Sequence, residues 1–211
     1  MHIRTTCAAF VAAFVPVVAL AQGEAVVGGQ VNLTYDIDNG LDHSENTIEG
    51  YIAYENSGFF TELWAGSLHD DPNDDAELEF YLGYGTEFGD LGVALQYVGY
   101  FLTDSGHDHN GVGVELSYPL GESVTGALYS EIDPDSKDWF HEISAEFELN
   151  DRWSTRFMYG VSDADDNAYG EAALTYAVND TVFLEMLYED SDDADGLMTF
   201  SVGFETSVFG G

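Results

Sequence analysis

Residues 77–102 set the pattern for the whole chain. Leu78, Phe80, Leu82, Tyr84, Thr86 and Phe88 occupy one parity, and Glu77, Glu79, Tyr81, Gly83, Gly85 and Glu87 the other. A period of two is the signature of a strand with one apolar face. Gly89-Asp90 then reverses the chain, because glycine adopts the positive φ of a two-residue hairpin turn. The apolar parity resumes as Leu91, Val93, Leu95, Tyr97 and Phe101. Strands of about ten residues are longer than the usual five or six of globular domains, and match the length that crosses a bilayer at a tilt.

The pattern recurs along the chain and predicts twelve strands, near 26–36, 47–55, 59–68, 77–88, 91–102, 111–120, 123–131, 139–149, 152–161, 168–178, 181–189 and 197–208. The connections alternate in kind. Asn56-Ser57-Gly58, Gly89-Asp90, Gly121-Glu122-Ser123, Asn150-Asp151 and Asn179-Asp180 are hairpin turns, whereas 38–46, 69–76, 103–110, 133–138, 162–167 and 190–196 are longer and acidic. Such alternation along an even number of strands predicts an all-β, antiparallel up-and-down transmembrane β-barrel of about twelve strands. Short turns and both termini fall in the periplasm, and the longer acidic loops lie outside.

Parity assigns the two faces. Leu33, Tyr35, Ile52, Tyr54, Leu78, Phe80, Leu82, Leu95, Tyr97, Val114, Leu116, Ile143, Phe147, Phe157, Leu174, Leu184, Phe200, Val202 and Phe204 turn to lipid. The opposite parity gives a lumen bearing Glu49, Glu62, Glu79, Gln96, Glu115, Glu131, Glu142, Glu146, Arg156, Glu171, Glu185 and Glu205. Aromatic residues near strand ends, among them Tyr84, Phe88, Phe101, Tyr118, Trp153, Tyr159, Tyr188 and Phe209, suit interfacial girdles.

The N-terminus reads as an address. Arg4 precedes an apolar run from Cys7 to Leu20, and Ala19-Leu20-Ala21 is a small-x-small cleavage site. Residues 1–21 are therefore expected to be a cleaved signal peptide and 22–211 a single outer-membrane domain of a Gram-negative bacterium. Cys7, the one cysteine, leaves with the leader, so no disulfide is expected.

Charge narrows the partners. All 40 acidic residues follow the leader, against Lys137, Arg152 and Arg156 alone. A phosphate backbone needs a basic surface, so nucleic acid is excluded, and cationic or neutral solutes are favoured over anions. With Asn150-Asp151-Arg152 as a three-residue turn, Leu149 pairs with Trp153, Glu146 faces Arg156 and Glu148 faces Ser154. Arg152 and Arg156 then share one strand among Glu79, Glu115, Glu142, Glu146 and Glu171, as a selectivity element or as a cross-strand ion pair.

His43, His69, His107 and His109 fall in the predicted loops beside Asp70, Asp71, Asp192 and Asp193, a donor set suited to zinc, copper or nickel. His141, beside Trp139, reads as interfacial. Residues 190–196 imitate the start of a calcium loop, but the count from Gly196 places Val202 where a glutamate is needed. No cofactor is expected beyond weakly bound divalent cations at aspartates such as Asp74, Asp75, Asp163 and Asp166. No Gly-x-Ser-x-Gly, HExxH or phosphate loop is present, and no enzymatic activity is expected.

The run Gly50-Tyr51-Ile52-Ala53-Tyr54-Glu55-Asn56-Ser57-Gly58-Phe59-Phe60-Thr61-Glu62-Leu63-Trp64-Ala65-Gly66-Ser67, followed by Glu77-Leu78-Glu79-Phe80-Tyr81-Leu82-Gly83-Tyr84, resembles the TorF-like porin family of Proteobacteria. There a G-[FY]-x-x-x-x-W-[AG]-S strand precedes an E-x-[DE]-x-Y-x-G-Y strand. The resemblance implies an outer-membrane β-barrel with a porin role. The chain departs from it at 35–44, which lacks the Arg-Gly-x-Ser segment found after the first strand. The expectation is a passive outer-membrane channel with cation preference. Its rivals are a closed structural or adhesive barrel, its lumen filled by Tyr51, Tyr81, Tyr129 and glutamates, and a soluble secreted barrel binding a ligand or calcium.

Overall fold

A computed structural model describes residues 23–210 other than 39, 70–72, 165, 193 and 195. The expected leader, together with Asp70, Asp71 and Asp193, lies outside the described residues. Twelve strands follow one another: β1 Glu24–Asp36, β2 Asp42–Asn56, β3 Phe59–Ser67, β4 Ala76–Phe88, β5 Leu91–Leu102, β6 Gly106–Gly121, β7 Val124–Ile132, β8 Trp139–Asn150, β9 Trp153–Ser162, β10 Asn167–Ala177, β11 Val182–Ser191 and β12 Leu197–Phe209. Each pairs antiparallel with its chain neighbours, and β12 returns to β1 in a register running from Ala25↔Phe209 to Asp36↔Leu197. The sheet is a closed barrel with no free edge.

The turns follow from local chemistry. Asn56 pairs with Phe59, so the β2–β3 turn is only Ser57-Gly58, with φ of 54° and 85°. Both central residues at positive φ match the right-handed twist of the flanking strands. A Cβ on Gly58 would also collide with the Gly85 carbonyl oxygen. The β4–β5 turn is Gly89-Asp90, with Phe88 paired to Leu91 as the pattern requires.

Three expectations are corrected. Strands β2 and β6 begin at Asp42 and Gly106, about five residues earlier than the apolar alternation indicates. The early residues, Asp42-His43-Ser44-Glu45 and Gly106-His107-Asp108-His109, carry no apolar face because they stand beyond the apolar band. Backbone pairing alone continues the ladder there. The loops around them shrink to 37–41 and 103–105, so His43, His107 and His109 sit on strands and only His69 on a connection. The β8–β9 turn is Asp151-Arg152: Asn150 pairs with Trp153 and Leu149 is bulged out of the ladder, whereas Glu146↔Arg156 and Glu148↔Ser154 hold as expected.

The faces are inside-out relative to a soluble barrel. Val202, Ile143 and Phe157 on the outer wall are 58%, 55% and 52% exposed, while Glu79, Glu131 and Glu142 inside are 7%, 7% and 5% exposed. An apolar exterior on every strand is stable only against hydrocarbon, and a closed barrel satisfies the backbone there without water. A soluble barrel would bury the apolar parity, which sets that rival aside. Placing a charge in the middle of the outer wall tests the assignment. Val202→Arg should cost about 2–4 kcal/mol in unfolding from vesicles, and an unchanged midpoint would mean that this wall does not meet lipid.

Candidate functional site

The lumen is built by the inward parity of all twelve strands, and its first feature is a circle of carboxylates. Glu62 on β3 lies within electrostatic reach of Glu79 on β4 and of Glu205 on β12. Glu79 neighbours Glu131 on β7, which neighbours Glu142 on β8. Arg156 and Glu171 on β9 and β10 follow, then Glu189 on β11, which reaches Glu49 on β2. Lys137 and Arg152 stand elsewhere, so Arg156 is the one guanidinium or ammonium among the described residues that joins this circle.

Neutral donors hold half of these carboxylates. Glu49 accepts from Gln30 Nε2 at 2.8 Å, Asn32 Nδ2 at 2.6 Å and Trp64 Nε1 at 3.1 Å. The Tyr81 hydroxyl donates to Glu79 and the Tyr129 hydroxyl to Glu131, and Tyr100 reaches Glu131 at 3.3 Å. Gln96 Nε2 donates to the Tyr129 hydroxyl at 2.8 Å, extending the chain onto β5. Tyr51 donates to Glu205, and Tyr169 stands beside Glu142. Hydroxyl donors satisfy the oxygens of a desolvated carboxylate without adding a compensating charge.

Arg156 forms its ion pair with Glu171 on β10, Nη2 to Oε2 at 3.3 Å. Glu146 is its cross-strand partner in register but not its ionic partner. Glu171 lies diagonally, beside Glu142, at the more enclosed level of the lumen, where a charge gains more from being paired. The second guanidinium nitrogen, Nη1, is buried without a hydrogen-bond partner. Glu115 faces the lumen opposite Tyr129. Arg152 is corrected: it stands exposed in the β8–β9 turn and donates to the Tyr176 hydroxyl at 3.1 Å, outside the lumen.

The second feature escapes a reading of single strands. On the inner wall, rings lie across glycines of the neighbouring strand: Tyr51 over Gly28, Phe60 over Gly83, Tyr169 over Gly160 and Phe183 over Gly203. All four are direct cross-strand partners. Trp64 covers Gly66 on its own strand, and Tyr129 covers Gly113 diagonally. A Cβ at any of these glycines would occupy the ring's position, so glycine is what lets a large ring lie against the wall. The available signal was aromatic residues on the polar parity, of which the sequence already marks Tyr51 and Tyr129, but register was needed to see the glycines opposite.

The histidines do not converge. His43 Nε2 bonds Asn46 at 3.0 Å, His107 Nε2 bonds Asn110 at 3.0 Å, and His109 Nδ1 lies 2.8 Å from Asp108 while its ring stacks on Tyr100 at 4.0 Å. His69 is on the connection 68–75, and His141 stacks on Trp139 at the outer wall. Among the described residues no three His, Cys, Asp or Glu side chains are arranged to hold a metal ion. Asp192 is exposed on its own connection.

Aspartates of the wide-connection end instead fasten turns. Asp74 accepts the Ser105 hydroxyl at 2.6 Å and the backbone N–H groups of Ser105 and Asp104 at 2.9 and 2.6 Å. These bonds, led by the Ser105 hydroxyl, hold its carboxyl below the usual aspartate range. Asp133 is lowered likewise, chiefly by the Asp135 N–H at 2.8 Å. A depressed pKa stabilises the fold fully above the unfolded value of about 4, and the contribution is lost as pH falls through the lowered one.

Two measurements follow. In detergent-refolded protein the amide NMR shifts of Asp104 and Ser105 should titrate together with a midpoint below about 4, and lose that transition in Asp74→Asn; a midpoint at the ordinary value would detach Asp74 from this clamp. On the inner wall, Gly160→Val should displace the Tyr169 ring and destabilise the barrel by about 1–3 kcal/mol, whereas a variant of wild-type stability would show that the ring does not need the space.

No protein-family model matches the chain, so the TorF-like resemblance of residues 50–84 finds no support there, and no curated protein sequence matches either. Solved structures do match. The KdgM porin in complex with disordered oligogalacturonate aligns at a TM-score of 0.69 with 8% identity, covering 87% of this chain and 99% of that one. The NanC porin aligns at 0.60 with 11% identity, covering 86% and 98%. A deletion mutant of the TodX monoaromatic hydrocarbon channel aligns at 0.53 with 9% identity, covering 88% and 90%. At such identities the shared property is the fold: this chain has the closed antiparallel barrel of known porins and channels.

Proposed function

We propose that the protein is a narrow outer-membrane channel for passive diffusion of small cationic or neutral solutes. The observation that carries this reading is the circle of lumenal carboxylates joined by one guanidinium. In a low-dielectric tube, carboxylates that lack paired cations concentrate mobile cations and repel anions. The porin-like fold supports the same reading. Oligogalacturonate, named with the KdgM structure, is a polyanion and suits this lumen poorly. The TorF-like segment corresponds to β2–β4, and residues 1–21 would serve as the export signal. The outer aspartates would attract divalent cations weakly, and transport proceeds without turnover.

A specific observation favours a second reading, a closed barrel. Val98 and Met158 on the inner wall are buried together with Glu79, Glu131 and Glu142, so the enclosed level is tightly occupied. Twelve strands lie between barrels whose side chains fill the interior and those that leave an aqueous channel, so the side chains decide.

The mature chain, refolded into a planar bilayer across a potassium chloride gradient, should give discrete steps with a reversal potential toward the potassium limit. Arg156→Ala should move it further in that direction, by removing the one lumenal guanidinium. Silence after verified insertion would overturn the channel and leave the closed barrel. A reversal potential at zero would remove the cation preference.

A further inference from the structure

On one side of the lumen, β1, β2, β3, β11 and β12 border a partly open cavity of about 40 Å³. Its chemistry comes from Tyr51, Trp64 and Phe183, with Glu49, Glu205 and Gln30. The three rings are those that lie over Gly28, Gly66 and Gly203. Tyr51 and Phe183 are half-buried and Trp64 is buried, so the first two offer most of the accessible ring surface. Glu49 is bound by three neutral donors, and Glu205 accepts from Tyr51 while its side chain stays accessible. Glu62 adds a third carboxylate within electrostatic reach of Glu205. No lysine or arginine lines the cavity.

We infer that this cavity is a binding site for a small organic ammonium ion, methylated or alkylated, held by the aromatic faces of Tyr51, Trp64 and Phe183 and by the charge of Glu49 and Glu205. Aromatic faces attract cations through the ring quadrupole, and they do so best when the cation carries a weakly held hydration shell. Carboxylates on the same wall supply the charge that a neutral aromatic box lacks. A hard divalent cation is a poorer fit, because it needs six or more oxygen ligands and three rings occupy that wall. Gln30 Nε2 and Trp64 Nε1 are spent on Glu49, so the wall retains acceptors and ring faces with few free donors, which disfavours anions. The inference shares with the channel reading the premise that the lumen is entered by water from at least one end, and it does not require conduction.

The probe is choline, compared with its uncharged isostere 3,3-dimethylbutan-1-ol, titrated calorimetrically into the refolded mature chain. Saturable binding of choline in the millimolar range or tighter is expected, with the isostere at least about tenfold weaker. Glu205→Gln should weaken choline about tenfold without altering the isostere, and Phe183→Leu should weaken choline more than it changes stability. As a second readout, a Trp139→Phe, Trp153→Phe double variant leaves Trp64 as the only tryptophan, whose fluorescence should respond to choline and not to sodium. Absence of saturable heat, equal affinity for the isostere, or a silent Trp64 would each overturn the site. Conductance without choline binding removes this inference alone; choline binding in a silent barrel removes the channel alone.

Discussion

Backbone hydrogen bonding in a medium without water is the constraint on which everything else depends. A sheet facing hydrocarbon on one side cannot leave an edge, because each unpaired N–H or C=O there costs several kcal/mol. The ladder between β12 and β1 removes the last edge. Once the ring is closed, strand parity is fixed all the way around, and a one-residue slip anywhere would exchange Val202 for Ser201 or Phe157 for Arg156 at the lipid face. The alternating apolar residues are thus what make the register unique.

Closure then dictates the inner wall. Twelve strands give an interior wider than side chains of ordinary size fill by default, and two devices set what remains. Aromatic rings lying on glycines cover the wall, because the glycine lets the ring approach the backbone. Hydroxyl and amide donors hold the carboxylates in fixed directions, as Tyr81 does for Glu79 and Gln30, Asn32 and Trp64 do for Glu49. The polar face consequently gains order without gaining positive charge. That is how the lumen stays acidic even though its side chains are densely hydrogen-bonded.

Most of the fold was legible in the sequence because parity and turn residues are local. The twelve strands, the Gly89-Asp90 turn and the Glu146↔Arg156 register can all be read from spacing. Four things could not. The outer reaches of β2 and β6 have no apolar face, so only their pairing partners reveal them as strands. Leu149 is bulged out, so that Asn150 and not Leu149 pairs with Trp153, a displacement of one residue that spacing cannot register. Arg156 chooses Glu171 over Glu146 through its reach and the local enclosure, neither of which a linear register contains. The aromatic–glycine pairs belong with these, since Tyr169 and Gly160 become neighbours only when β9 and β10 are aligned.

The uneven distribution of positive charge gives the lumen a direction around its circumference. Arg156 sits on β9, and the wall formed by β1–β3 with β11–β12 carries Glu49, Glu62 and Glu205 together with flat rings and no guanidinium. On the proposed reading, a cation entering the tube would be repelled locally near Arg156 and drawn to the aromatic side, where rings and carboxylates would act on it together. An ion guided along one wall samples that wall's chemistry more than the mean of the pore. Discrimination between a hydrated alkali ion and an organic ammonium would then arise from the rings of Tyr51, Trp64 and Phe183, and attraction of both from the glutamates. Separating the two roles, charge for attraction and aromatic surface for choice, is what a barrel of this width permits, because neither group has to span the lumen to be felt.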